Sequence, residues 1–253
     1  MPSISDLRVK IFADGADFDG IMKMYANPVI KGFTTNPTLM RKAGIADYEA
    51  FARKVLAAVP DRPVSLEVFA DEFDEMERQA LAIASWGRNV NVKIPVTNTR
   101  REFAGPLIQK LSAAGVALNV TAVFTLDQVQ RIVACLDPKT PAIVSIFAGR
   151  VADSGIDPVP LMAEAVKILK SKPKAELIWA SPRELLNIFQ ADAIGCHIIT
   201  VTNDILAKLG LVGKDQDGYS LETVQMFYRD AAAAGYTIDT ARSAPAQPSR
   251  AVG

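Results

Sequence analysis

The chain has 253 residues, 49% of them hydrophobic, and 28 Lys plus Arg balance 28 Asp plus Glu. A formal net charge of zero leaves no electrostatic footprint for nucleic acid or an anionic membrane surface, so neither is expected as a partner. Two cysteines, Cys135 and Cys196, are too few for a disulfide framework, lack CxxC spacing, and sit in apolar surroundings (RIVACL and GCHIIT). The stretch MPSISDLRVKIFADG has no long apolar segment of the secretory kind. No apolar run reaches the roughly 18 to 20 residues of a membrane span, and a soluble cytoplasmic protein is expected.

In chain order, VKIFAD (9–14) predicts a first strand, followed by a helix near 18–26 that ends before Pro28. VIKGFTT (29–35) predicts the second strand; Pro37 suits a helix start, and a longer helix falls near 47–58. VSLEVF (64–69) is the third strand, and the following stretch places Met76, Leu81 and Ala84 on one helical face. NVNVKIP (89–95) is the fourth, with a helix from about 102 to 114 that stops at Gly115. ALNVTAVF (117–124) is the fifth, with LDQVQRIVACL as its helix. PAIVSIFA (141–148) is the sixth, with a helix near 158–170, and AELIWAS (175–181) is the seventh, with a helix near 183–191. CHIITV (196–201) is the eighth, followed by helices near 203–209 and 220–234.

Strand-then-helix units repeated through the chain predict parallel strands with crossover helices. Two folds compete, an open doubly wound sheet and a closed barrel. Eight units and the chain length favour an α/β fold of the (β/α)8 TIM-barrel type with an additional C-terminal helix. FADGADFDG has the wrong spacing for a dinucleotide fingerprint, and no GxxxxGK[ST] occurs. One domain is expected over 1–236. The remainder, 237–253, with Pro245 and Pro248 among Ala and Ser, is expected to be a flexible tail.

In such a barrel the chemistry gathers at the C-terminal ends of the strands. There the sequence puts Asp14 on the first strand, Thr34, Thr35 and Asn36 after the second, and Ser65 and Glu67 at alternate positions of the third. Asn91 and Lys93 alternate on the fourth strand and Asn119 and Thr121 on the fifth. Ser145 lies on the sixth with Arg150 beyond it, and Ser181 and Arg183 follow the seventh. Each polar residue alone reads equally well as a helix cap or an ordinary strand residue. Glu67 and Lys93 interrupt apolar runs, and a buried structural ion pair would explain those two only. Burial lowers an ammonium's pKa, and a neutral amine can attack a carbonyl to form a Schiff base. Lys93 is therefore a candidate nucleophile, with Glu67 and Asp14 as carboxylates for separate proton transfers.

KGFTTNPTLM (31–40), NVNVKIPVT (89–97), NVTAVFT (119–125), VSIFAGRVAD (144–153) and WASPRE (179–184) together resemble the transaldolase family, in the short form related to the fructose-6-phosphate aldolases. The resemblance runs over roughly residues 9 to 235. It implies a class I aldolase chemistry with Lys93 as the Schiff-base lysine and no cofactor or metal. By the same resemblance Asp14 takes the proton of the substrate's C4 hydroxyl, and Glu67 works with Thr121 through a water. Asn36, Asn119 and Ser145 hold a three-carbon ketose fragment, with Thr35 and Ser65 counted in the binding set, and Arg150, Ser181 and Arg183 bind a sugar phosphate. Glu67 and Phe147 stand where aldolase-type members have glutamine and tyrosine, which implies transfer to an aldose phosphate rather than release.

Departures from the family pattern are Gly15 after the first aspartate, Pro182 in SPRE, and Phe69 and Ala70 after SLEV. They leave open an altered acceptor, a fructose-6-phosphate-type aldolase activity, or a modified sugar such as a sulfonated one. A metal-dependent aldolase would need more ligands than the single His197, which is expected to be a core residue. A non-catalytic phosphate-binding barrel is the distant alternative. The last helix carries Leu221, Val224, Phe227 and Tyr228 at helical spacing, a face that would pack on its own barrel. Short members of the family form rings through this helix, and a homo-oligomer is the expectation.

Overall fold

The computed structural model describes residues 4–240, and the rest of the expected tail, 241–253, lies outside the described residues. Two compact units are present, 4–210 and 211–240. The larger is a closed barrel of parallel strands β1 (Lys10–Asp14), β2 (Ile30–Thr34), β3 (Val64–Glu67), β4 (Val90–Pro95), β5 (Leu118–Val123), β6 (Ala142–Ile146), β7 (Ala175–Trp179) and β8 (Ile198–Thr202), in sequence order. β8 pairs back onto β1, Lys10 beside Ile198, which closes the ring and confirms the predicted barrel. Between the strands run α1 (Phe18–Tyr25), α2 (Pro37–Lys42), α3 (Tyr48–Ala58), α4 (Phe73–Ala84), α5 (Gly105–Ala113), α6 (Leu126–Cys135), α7 (Ala148–Asp153), α8 (Pro158–Leu169), α9 (Leu186–Ala193) and α10 (Asn203–Leu206).

Helix starts are set by local chemistry. Asp17, Asn36 and Asp47 each accept a backbone N–H of the first turn, and Thr125 with Gln128 forms a capping box on α6. α7 was not legible, since its six residues are too few to carry a helical period. α9 begins at Leu186 rather than 183, because the Asn187 side chain accepts the backbone N–H groups of Arg183 and Glu184 and holds them in a turn.

Strand residues alternate between two apolar populations. The outer faces, including Ile11, Leu66, Val92, Val120, Val144 and Leu177, pack under the helices in one large core. A small second cluster of Phe12, Ile143, Ile178, Ala180 and Ile198 is separate from it and plugs the barrel. Polar residues occupy the inward positions on both sides of this plug, Lys10, Asn91 and Glu176 toward the N-terminal end and a larger set toward the C-terminal mouth.

The smaller unit holds α11 (Gln216–Ala233), which begins four residues before the expected start because Asp215 caps the Gly218 N–H. None of its residues is buried, and Leu221, Val224, Phe227 and Tyr228 are all exposed. Among the described residues no helix is long and apolar enough to cross a membrane.

Gly32, on β2, faces the inner plug, where an added Cβ would lie 2.5 Å from Cζ of the Phe12 ring. Phe12 is only 1% exposed and has little room to turn aside. Gly32→Ala should therefore destabilise the barrel by about 1–3 kcal/mol, the usual cost of overpacking. Denaturant titration would read it, and Phe12→Leu in the same chain should recover part of the loss; an unchanged midpoint in Gly32→Ala would mean that the plug is loose.

Candidate active site

The register of neighbouring strands assembles the centre. Glu67 on β3 lies beside Lys93 on β4, and Lys93 beside Asn119 on β5, so all three side chains point into the barrel. Lys93 is 7% exposed, and its Nζ donates to Glu67 Oε2 at 2.9 Å and to the Thr35 main-chain oxygen at 2.8 Å. Tyr48, on α3, fixes Glu67 from behind: its hydroxyl donates to the Glu67 carbonyl at 3.0 Å and accepts the Glu67 N–H at 2.8 Å. Burial raises the Tyr48 pKa, so the phenol stays neutral and keeps its proton for that contact.

Asp14 ends β1 across the mouth. Its Oδ1 accepts the Thr34 hydroxyl at 2.8 Å, and Asn36 Nδ2 stands 3.5 Å from Oδ2. Burial pushes the Asp14 carboxyl above its ordinary range; Thr34, the Lys93 charge and Asn36 pull it back, while Glu67 adds to the rise. Asn36 caps α2, its Oδ1 accepting the Leu39 N–H at 2.9 Å, while its amide nitrogen turns to Asp14.

Below these groups runs a buried polar belt. Ser145 Oγ donates to Asn119 Oδ1 at 2.7 Å, and Asn119 Nδ2 donates to Ser65 Oγ at 3.0 Å, so each fully buried member is satisfied by the next. The Thr35 hydroxyl donates to the Ser65 carbonyl at 3.0 Å. Thr121 differs: its Oγ1 is buried without a hydrogen-bond partner among the described residues, and the residue lines the cavity. The next residue, Ala122, adopts φ 61°, and the β5–β6 register shifts there, a bulge that ends the strand at the site.

A cavity of about 420 Å³ collects Asp14, Asn36, Glu67, Lys93, Asn119, Thr121, Ser145, Phe147, Arg150 and Ser181, ten of the thirteen predicted residues. Thr35 and Ser65 lie behind its wall as supports. Arg150, on α7, holds its guanidinium 4.9 Å from the Phe147 ring centroid, and Phe124 lies 5.8 Å from the same ring. Arg183 stands apart, outside the lining, with its Nε donating to Asp153 Oδ1 at 3.0 Å and its Nη2 to the other carboxylate oxygen. Gly149 brings α7 against the turn after β7, for an added Cβ would stand 1.5 Å from the Ser181 carbonyl oxygen, and Ser181 itself takes φ 56°.

Asn91, which alternates with Lys93, opens instead on a cavity at the N-terminal end of the barrel, lined also by Lys10 and Glu176. His197 is partly buried, with Nδ1 accepting the Leu177 N–H at 3.0 Å, and burial lowers its pKa, so it is a neutral structural imidazole. Among the described residues no three His, Cys, Asp or Glu side chains come together as a metal set. Gly15 leaves open space where a side chain would project, beside a cleft of about 510 Å³ on the far side of Asp14. Two residues at the centre escaped the sequence reading. Tyr48 gave no signal, but Thr200 repeats on β8 the period-two pattern followed on the other strands.

The sequence profile of the Transaldolase/Fructose-6-phosphate aldolase family matches residues 11–244. A protein of Dehalococcoides mccartyi named "Probable transaldolase" is 38% identical over 203 residues, 79% of this chain and 90% of that protein. "Probable transaldolase 2" of Listeria monocytogenes is 34% identical over 79% of this chain and 88% of its own length. Among solved structures, dihydrodipicolinate synthase of Rhodopseudomonas palustris superposes with a TM-score of 0.59 at 15% identity, covering 91% of this chain and 81% of that one. KGPDC of Streptococcus mutans superposes with a TM-score of 0.54 at 9% identity, covering 79% and 90%. These two structures share the barrel alone. The sequence relatives go further: the chain belongs to the transaldolase/fructose-6-phosphate aldolase family.

Proposed function

We propose that the protein is a transaldolase that moves a three-carbon dihydroxyacetone unit from a ketose phosphate, such as fructose 6-phosphate or sedoheptulose 7-phosphate, to an aldose phosphate through a Schiff base on Lys93. The observation that carries the reading is a lysine amine buried inside the barrel yet lining a cavity, with a carboxylate at 2.9 Å and a second carboxylate, Asp14, across the same space.

The Lys93 amine, after yielding a proton to Glu67, attacks the ketose carbonyl. The carbinolamine then loses water to become an iminium; Glu67, with the unpartnered Thr121 hydroxyl, handles that water and its protons. Asp14 takes the proton of the C4 hydroxyl. The C3–C4 bond breaks, its electrons flow into the iminium as an enamine, and the shortened aldose leaves. Asn36, Asn119 and Ser145 hold the hydroxyls of the remaining fragment until an acceptor aldehyde is attacked by the reverse steps. Phe147 offers the enamine an apolar wall with no proton to give, which favours capture by an acceptor over release.

Incubation with fructose 6-phosphate followed by borohydride should add the mass of a reduced three-carbon fragment to the intact chain. The addition should be absent in Lys93→Ala, and erythrose 4-phosphate added before reduction should discharge it. A wild-type chain that gains no mass from any ketose phosphate tested would sink the proposal.

The distal phosphate is assigned to Arg150 and Ser181, which line the cavity, with Arg183 at the rim behind its Asp153 partner. A guanidinium that bonds a phosphate directly contributes about 1.5–3 kcal/mol. Arg150→Ala should therefore raise KM for phosphorylated sugars roughly 10- to 100-fold, with a smaller effect from Arg183→Ala. Steady-state KM values for both variants decide it, and the reverse ranking would move the phosphate site to Arg183.

The exposed face of α11 supports assembly of the chain as a homo-oligomer. Phe227→Glu should lower the particle mass by light scattering while leaving the far-ultraviolet spectrum intact; a wild-type chain that runs as a monomer would overturn the assembly.

A further inference from the structure

Resting on the reading of Asp14 as the base, we infer that Thr200 is a positioning residue for Asp14, acting through Thr34 as a two-hydroxyl relay that holds the carboxylate ionised. Thr200 lies on β8 and pairs beside Phe12, two residues below Asp14 on β1; Thr34, on β2, pairs beside Asp14 itself. Both hydroxyl residues are buried, at 6% and 4% exposure. The Thr34 Oγ1 bonds Asp14 Oδ1 and Thr200 Oγ1 at once.

Proton arithmetic fixes the direction. Each hydroxyl carries one proton, and an ionised carboxylate accepts only. When Thr34 donates to Asp14, its oxygen can bond Thr200 only by accepting, so Thr200 donates to Thr34 and Thr34 to Asp14. A protonated Asp14 would either carry its proton on Oδ1, which reverses the chain and leaves Thr200 in need of an acceptor, or carry it on Oδ2, which leaves Oδ1 a weaker, uncharged acceptor for Thr34. Among the described residues the Thr200 hydroxyl has no other hydrogen bond. The directed chain therefore favours the ionised base, and linked hydroxyls polarise one another in the low dielectric of the barrel.

This opposes the burial that pushes the carboxyl up. The charged neighbours on the cavity side are Glu67 of β3 and Lys93 of β4, with Arg150 farther along the same wall. Asp17 beside α1, Lys42 of α2 and Asp204 of α10 line the cleft on the other side. None of them replaces a hydroxyl donated directly to Oδ1. Orientation follows as well, since Thr34 on one oxygen and Asn36 facing the other fix the plane of the carboxylate.

The test is a carbon-detected NMR titration of Asp14 in the full chain, run beside the pH profile of kcat/KM, for Thr200→Val, Thr200→Ser and Thr34→Val. Thr200→Val keeps the shape and removes the donor. The Asp14 midpoint should rise, and the acid limb of kcat/KM should move to higher pH with it, a loss of about 3- to 10-fold on the acid side that recovers as pH increases. Thr34→Val should do the same more strongly, and Thr200→Ser, which restores a hydroxyl, should return both readings to wild type. An Asp14 midpoint unmoved in Thr200→Val, or displaced equally in Thr200→Ser, would overturn the relay whatever the activity. Borohydride trapping on the same samples keeps the two ideas apart: a titration that moves in a chain forming no sugar adduct leaves the relay standing and removes the Lys93 mechanism instead.

Discussion

A charged amine inside a barrel is the constraint around which the rest of this structure is arranged. Withdrawing an ammonium and a carboxylate from water costs several kcal/mol per ion before their attraction is counted. Lys93 and Glu67 recover that cost only because each is held in place. The lysine has the carbonyl of Thr35 as a second acceptor, and the glutamate backbone is clamped by Tyr48. Removing either charge would leave its partner buried and uncompensated, a loss of about 3–5 kcal/mol for pairs of this kind. Two well-packed apolar side chains of similar volume are often as stable as such a pair or more so, so the pair is weak evidence of a purely structural role.

The same constraint orders the interior along its axis. Phe12, Ile143, Ile178 and Ile198 seal the barrel beneath the polar belt, so the belt meets water from the C-terminal mouth only. Within the belt Ser145 donates to Asn119 and Asn119 to Ser65, so each member has a partner in the next. Thr121 is the exception, a hydroxyl buried without a partner at the edge of the cavity.

Most of this was legible in the sequence because a barrel of parallel strands reads with a period of two. Once the strands were placed, alternate positions named Ser65 with Glu67 and Asn119 with Thr121, and the register confirmed that they share the interior. Asn91 shows the limit of that rule: it shares a face with Lys93 but one step down the strand, and opens on the other mouth. Alternation tells inside from outside, not height along the axis. Tyr48 was invisible because it reaches Glu67 from a helix, and no local pattern encodes a contact between an α3 side chain and a β3 backbone. α7 was missed for want of length, and with it the detail that separates Arg150 from Arg183.

That detail sets the two arginines in different surroundings. Arg150 is held over an aromatic face, an attraction that leaves its N–H edge free to donate into the cavity. Arg183 is engaged by both oxygens of Asp153, whose own pKa is lowered first by that contact. Such surface ion pairs are weak, typically under about 1 kcal/mol. The turn that carries Arg183 is also tied closely to α7, since Gly149 allows the Ser181 carbonyl to approach to a distance no other residue would permit. One arginine thus lines the cavity, while the other is held by Asp153 outside the lining, on the same junction.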